Sequence, residues 1–222
     1  MKLGNADVRQ NLELSISIIK EAGQKISKEL YKLGLLLGTG ANNVGEPEFE
    51  LDRPLTRVEA LSLILRLLGV EGEAAKYSGE NPFRDVPEWA QKYAAYAFNS
   101  GLVFGVDEQN TSMDAKRDIT YQEFTAMLLR VLGYTEAKGS FAFDKALDKS
   151  VEASLFTFNE NQVFSEQKAF SRNEAAVALA DALTAYHPET EQLFIYTLVD
   201  KGILSLQQAN TFISSLSEIY LH

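Results

Sequence analysis

The sequence predicts an all-α fold built as one domain. Three observations point there. Apolar residues recur at helical spacing in several windows. A hydroxyl-x-x-Glu signature, which starts helices, occurs three times. No segment sustains the period-two alternation of a half-buried strand. Pro47, Pro54, Pro82, Pro87 and Pro188 all fall in predicted loops or at helix starts.

Taken in order, a first helix is expected over about residues 12–33, ended by the turn Tyr31-Lys32-Leu33-Gly34. Residues 56–68 carry Val58, Leu61, Ile64, Leu65 and Leu68 on one face, with Arg66 facing away. The glycine-bearing stretch from Glu71 to Glu80 reads as a linker. A helix over about 88–100 follows, whose Tyr93, Tyr96 and Phe98 are packing residues. Residues 120–132 place Phe124, Met127, Leu128 and Val131 together. A helix over about 147–160 precedes residues 171–183, which carry Ala175, Ala176, Leu179 and Leu183. The tail adds helices at about 189–200 and 206–220. Short extended pieces are allowed around Phe49 and Met113.

These elements repeat. The signature occurs as Thr56-Arg57-Val58-Glu59, Thr120-Tyr121-Gln122-Glu123 and Ser171-Arg172-Asn173-Glu174. Phe49, Met113 and Phe164 precede the three hydroxyls at one spacing, and Leu55, Ile119 and Phe170 stand immediately before them. Arg66, Arg130 and Asp181 share a later position. Upstream, Phe83 and Phe98-Asn99-Ser100-Gly101 match Phe143 and Phe158-Asn159-Glu160-Asn161. Gly34, Gly101 and Asn161 are therefore read as helix-ending residues. On that register the third repeat keeps only a remnant of the loop between Asn161 and Phe164. The expected organisation is one unit over 1–222, with repeats at about 12–70, 83–134 and 143–185 and C-terminal helices at about 189–222. Val199-Asp200-Lys201-Gly202 and Ser205-Leu206-Gln207-Gln208 read as a partial fourth echo or as coincidence.

Composition narrows the function. With 21 Lys plus Arg against 31 Asp plus Glu, the net charge is −10, and no dense basic run exists to grip phosphates, so nucleic acid is not an expected partner. The absence of cysteine excludes disulfides and thiol chemistry. His187 and His222 are the only histidines, and no metal or cofactor is expected. Asp107-Glu108-Gln109-Asn110 lacks the alternating ligands and closing Glu of a calcium loop. No apolar run reaches the roughly 18–20 residues of a membrane helix. Met1–Asn11 has no apolar stretch of a signal peptide, so the chain is read as cytosolic or as exported with its signal removed.

Thr56, Thr120 and Ser171, with Glu59, Glu123 and Glu174, form expected capping boxes. In these the hydroxyl accepts the N–H three residues on and the Glu accepts the cap's own N–H. Arg57 and Arg172 sit where capping does not use the side chain and the helix dipole already favours anions. Two readings stand: a solvated or locally paired arginine, or a carboxylate site made of guanidinium and helix N–H groups.

In this order and number, the motifs resemble the S-layer homology family of bacterial surface proteins. The resemblance rests on Phe83-Arg84-Asp85-Val86-Pro87-Glu88-Trp89-Ala90, on the turns Gly34-Leu35-Leu36-Leu37-Gly38 and Gly101-Leu102-Val103-Phe104-Gly105, and on the three capping signatures. It covers roughly residues 20–185. It implies three repeats about a pseudo-threefold axis around a central helical spindle, on the outside of the cell. It implies non-covalent anchoring to the cell wall through a secondary cell wall polysaccharide, or another polymer linked to peptidoglycan, ending in a pyruvylated amino sugar. A fusion to, or assembly with, an S-layer protein is implied too, without membrane insertion. By position, Arg57 and Arg172 take the glycan carboxylate, with Thr56, Gly38, Trp89, Gly105, Tyr121 and Ser171 as secondary candidates.

Departures from the pattern carry expectations of their own. Tyr121 replaces the arginine of the second repeat and is expected to mark a weak or silent groove. Lys149 stands where Trp89 stands, and the shortened third repeat makes Arg57 the favoured site over Arg172. Trp89 suits a sugar face but is read first as a core or interface anchor. Two rivals remain: an assembly module that binds no glycan, and a glycoside hydrolase using Glu59, Glu123 or Glu174. The hydrolase is disfavoured because capping already explains those acids.

Overall fold

A computed structural model describes the backbone of residues 5–166 and 169–221 and the side chains of 13–166 and 169–220. The fold is all-α. Its helices are α1 (Asn5–Lys32), α2 (Arg57–Leu67), α3 (Glu71–Ala74), α4 (Gln91–Asn99), α5 (Tyr121–Val131), α6 (Ala146–Glu152), α7 (Phe158–Glu166), α8 (Arg172–Thr184), α9 (Phe194–Asp200) and α10 (Leu206–Leu221). Single 3-10 turns, Glu88–Ala90 and Phe143–Lys145, lead into α4 and α6. The one sheet among the described residues is a two-stranded antiparallel hairpin, β1 (Gly40–Ala41) with β2 (Pro47–Glu48), close to the extended piece expected at Phe49.

The helices of the capping signatures, α2, α5 and α8, carry the core. Leu61, Ile64, Leu65, Phe124, Leu128, Leu129, Ala178 and Leu179 are fully or almost fully buried. Burial of such side chains is the main favourable term in folding. α1 packs along α8, where Gly23 leaves room for the buried Asn173. A Cβ on Gly23 would stand 2.4 Å from Asn173 Oδ1. Further on, α4 packs on α2, α6 on α5 and α9 on α8.

One closing motif ends four of these helices. In α1 the N–H groups of Leu35 and Leu36 both donate to Leu30 O. Leu102 and Val103 do the same to Ala97 O after α4, Leu155 and Phe156 to Ser150 O after α6, and Ile203 and Leu204 to Leu198 O after α9. The residue at the bend is left-handed each time: Gly34 (φ 73°), Gly101 (φ 71°), Ser154 (φ 55°) and Gly202 (φ 71°).

This corrects the register of the third repeat. Ser154, not Asn161, ends the helix, and the helix expected over 147–160 breaks into α6 and α7. Asn161 lies inside α7. Thr157 and Glu160 form a capping box that restarts the chain as a helix: Thr157 N donates to Glu160 Oε2 at 2.8 Å, and Glu160 N to Thr157 Oγ1 at 3.2 Å. The segment expected to be lost before Ser171 is therefore present but folded as α7, where the segment before Thr56 has a hairpin and the segment before Thr120 an open loop. Lys149 stands in α6, paired with Glu152, and not at a helix start.

Two smaller expectations also change. The stretch after α2 is partly helical, and Arg66 turns to pair with Glu71 at 2.5 Å. The helix expected from 189 starts at Phe194, because residues 186–193 form a tight loop bridged between Tyr186 and Leu193.

Candidate functional site

The starts of α2 and α8 leave no amide free for an anion. Both have their capping boxes: Glu59 and Glu174 accept from the N–H of Thr56 and Ser171 at 3.0 and 2.8 Å. The next two donors are taken by another part of the chain. Arg57 N and Val58 N donate to Arg117 O and Ala115 O. Arg172 N and Asn173 N donate to Arg53 O and Leu51 O. All four amides that a helix leaves unpaired at its start are thus used. α5 has the same box, with Thr120 N to Glu123 Oε2 at 2.9 Å. Leu55 N to Phe170 O and Ile119 N to Leu55 O tie the three helix starts together.

The side chains follow the same direction. Arg57 is buried, and its Nε donates to Met113 O at 2.7 Å, its Nη1 to Glu123 Oε1 at 2.5 Å and its Nη2 to Phe104 O at 3.3 Å. Arg172 is 7% exposed, and its Nε donates to Phe49 O at 2.7 Å and its Nη2 to Leu37 O at 3.1 Å. Each guanidinium thus holds the loop that follows a Gly-x-x-x-Gly turn, Gly101–Gly105 for Arg57 and Gly34–Gly38 for Arg172. The expectation of a solvated or locally paired arginine gives way to a long-range clamp. Burial lowers the Arg57 pKa against the pull of Glu123. For Arg172, burial and then repulsion from Arg53 act in the same sense. Arg172 forms no ion pair among the described residues, and three of its five donors stay unused there.

Tyr121 takes the corresponding place at α5. It is 7% exposed, packs its ring against Phe156, Phe164 and Phe170, and donates its hydroxyl to Asn161 Oδ1 at 3.0 Å. Burial pushes the phenol far above its ordinary range. Its neighbour is α7, so no open loop stands opposite it. The segment lacking a loop thus faces Tyr121 and not Arg172, which removes the sequence-based reason for preferring Arg57.

Two clefts open at the glycine turns. The larger, about 480 Å³, is lined by Gly105, Phe104, Phe143, Arg117, Arg130 and Glu136, among others, with Arg57 and Glu123 in its wall. The smaller, about 390 Å³, is lined by Tyr31, Leu37, Gly38, Thr39, Gly45 and Pro47. Gly105 has no room for a side chain, since a Cβ would lie 2.7 Å from Asn110 Cα.

Trp89 lines neither cleft. It is 57% exposed, edge-on to Tyr93 at 6.3 Å, so the core-anchor reading fails: the 3-10 turn points the indole outward and buries Ala90 instead.

A second arginine at each of two helix starts escaped the sequence reading. Arg53 binds Glu59 through two bonds at 2.8 and 3.1 Å, and Arg117 binds Glu123 likewise at 2.7 and 3.2 Å. The signal was present: Phe49-Glu50-Leu51-Asp52-Arg53 parallels Met113-Asp114-Ala115-Lys116-Arg117, with Glu50 and Asp114 both left-handed and both paired to their arginine. Desolvation opposes ionisation of Glu59 and Glu123, yet the arginine and cap bonds prevail and hold both pKa values low. Arg130 and Glu136 form a similar pair at 2.6 Å, with Arg130 over the Phe104 ring at 4.9 Å.

Asp85 explains its motif. Its carboxylate accepts the N–H groups of Met113 and Ala115 at 2.8 and 3.1 Å, so it fixes the loop segment whose Met113 carbonyl receives Arg57. Those bonds lower its pKa against desolvation. Asp107 likewise folds its own loop, accepting from Thr111 and Ser112.

No family model matches the chain. Among curated proteins it is 34% identical over 106 residues to a cell surface protein of Thermoanaerobacter kivui, covering 46% of this chain and 14% of that protein. It is 29% identical over 142 residues to the middle cell wall protein of Brevibacillus brevis, covering 61% and 13%. It is 28% identical over 143 residues to an endoglucanase of Bacillus sp. strain KSM-635, covering 64% and 14%. The chain thus aligns with only a small part of each of these much longer proteins.

Proposed function

We propose that the chain is a cell-surface module of the S-layer homology type, which attaches a larger protein to the wall by holding secondary cell wall polysaccharide. It works from outside the membrane, in keeping with the surface and wall proteins it resembles, and among the described residues no helix is long and apolar enough to cross one. Three units around a pseudo-threefold axis are supported by the cyclic order of the contacts: α2 grips the second unit, α5 the third and α8 the first. Glycan is held in the two clefts beside Gly38 and Gly105, and the Tyr121 position is silent.

The observation that carries this reading is Arg172. A buried guanidinium that forms no ion pair among the described residues, with donors to spare and set behind the hairpin loop of residues 37–49, suits the carboxylate of a pyruvylated sugar. Non-enzymatic function is favoured by the chemistry of the acids. Glu123 and Glu136, which line the larger cleft, are held ionised by arginines, so neither supplies the proton that a glycosidase acid must donate.

A pull-down with purified cell walls tests the reading. Binding is expected to walls before acid extraction of the polysaccharide and not after it, and Arg172→Gln, checked for native melting, is expected to weaken binding at least tenfold. The rival is an assembly module, favoured by the fact that both arginines already tie loops together. Equal retention on intact and extracted walls, or none on either, would favour that rival.

A further inference from the structure

We infer that Asp85 is a positioning residue for the larger cleft: it terminates two hydrogen-bond chains that begin on Arg57 and Val106 in the cleft wall. This rests on the wall-binding reading and adds to its machinery a residue that lines neither cleft.

Both chains can be followed atom by atom. In the first, Arg57 Nε donates to Met113 O at 2.7 Å. The same peptide group donates from Asp114 N to Ser112 Oγ at 3.3 Å, and Ser112 Oγ donates to Asp85 Oδ2 at 3.2 Å. In the second, Val106 N donates to Ser112 O at 2.9 Å, and that peptide group donates from Met113 N to Asp85 Oδ1 at 2.8 Å. Ala115 N adds a bond to Oδ2 at 3.1 Å, while its carbonyl accepts from Val58 N in the first turn of α2. Every donor points towards the carboxylate. The first chain therefore runs from a cation to an anion, and in such a chain each link polarises the next.

The charges give the chain a purpose. Arg57 is buried and shares Glu123 with Arg117, whose other partner is the more exposed Asp114. Asp85 supplies Arg57 with a second anion from the far side of the loop, without placing a carboxylate in the cleft. It also holds the peptide against which Gly105 lies, since a Cβ there would stand 2.9 Å from Ser112 O. The first unit has no Phe-x-Asp start. Arg172 Nε donates to Phe49 O as Arg57 does to Met113 O, but among the described residues no carboxylate accepts from Phe49 N. Loss of the Asp85 charge should therefore act on Arg57 and spare Arg172.

NMR of the arginine side chains in the parent and in Asp85→Asn tests the chain. Asparagine keeps the size and an acceptor and removes the charge. Exchange of the Arg57 Nε–H with solvent should rise at least tenfold in the variant, while that of the Arg172 Nε–H stays within about twofold. A urea double-mutant cycle gives a second readout. The combined effect of Asp85→Asn and Arg57→Gln on the unfolding constant should miss the product of the single effects by at least fivefold, and that of Asp85→Asn and Arg172→Gln should match it within about twofold. Below the melting range of both proteins, Asp85→Asn should be retained on purified intact walls at least threefold more weakly than the parent. An Arg57 Nε–H that exchanges as in the parent, or a multiplicative cycle with Arg57→Gln, overturns the chain and leaves the wall-binding reading standing. Unchanged retention beside an altered Nε–H overturns the positioning role. A parent that is not retained on intact walls removes the wall-binding reading, and the positioning role with it.

Discussion

Arg57 and Arg172 occupy matching places, yet their removal has different consequences. Arg57→Ala takes one of two arginines from Glu123, a carboxylate in a largely buried setting, and should cost about 3 kcal/mol in urea unfolding. Arg172→Ala strands only the carbonyls of Phe49 and Leu37 and should cost about 1–3 kcal/mol. A larger loss at Arg172 than at Arg57 would contradict the pairing described. Asp181 makes the opposite case. Where α2 and α5 have Arg66 and Arg130, α8 has a carboxyl whose Oδ2 is buried without a hydrogen-bond partner among the described residues, and burial raises its pKa well above 3.8. A carboxyl with a raised folded-state pKa costs stability above its unfolded value, and the cost vanishes as pH falls below it. Asp181→Asn should therefore be more stable than the parent at pH 7, with the difference in urea midpoint closing towards pH 3.5.

The left-handed bend is the element on which the fold is spaced. Ser154 is the one non-glycine among its four occurrences, and an L-residue there carries a penalty of about 1 kcal/mol. Ser154→Gly should stabilise by about 0.5–1 kcal/mol, and Gly101→Ala should destabilise, both read by thermal melting.

This bend also shows how far the sequence was legible. Helices α2, α5 and α8 and their caps could be read because every interaction in the signature lies within four residues. Gly34 and Gly101 announced their bends by composition. Ser154 did not, and Asn161 looked like a bend while lying mid-helix. The helical reading of 12–33, 88–100 and 206–220 matches α1, α4 and α10 within a few residues, except that α1 begins earlier than expected, at Asn5. The destinations of Arg57 and Arg172 were not legible. Their partners lie 47 to 135 residues away, and no local pattern encodes such a contact. Trp89 was misplaced for a related reason, since helical periodicity does not apply to a 3-10 turn.

At the scale of the whole molecule, hydrogen bonds between helix starts join segments that would otherwise be separate hairpins. Unfolding should accordingly be one transition, with calorimetric and van't Hoff enthalpies in agreement; separate transitions would mean that the helix starts do not couple the units. The acid limb should be steep. Glu59, Glu123 and Glu136 have lowered folded-state pKa values, so their contribution is present above the ordinary 4.5 and is lost as pH falls through the lowered values. A urea midpoint that is flat from pH 6 to pH 3 would show that these pairs add nothing.

The contact between Arg172 and Phe49, 123 residues apart, also sets an order of events. A chain emerging amino-terminus first presents Ile19, Ile26 and Leu30 of α1 before the α8 that covers them has appeared, and the loop of residues 37–49 before the guanidinium that holds it. α1 and the loop of residues 37–49 therefore gain little by settling alone, and their final packing is expected to wait for residues 172–184, while α2, α4 and α5 can pack on one another earlier.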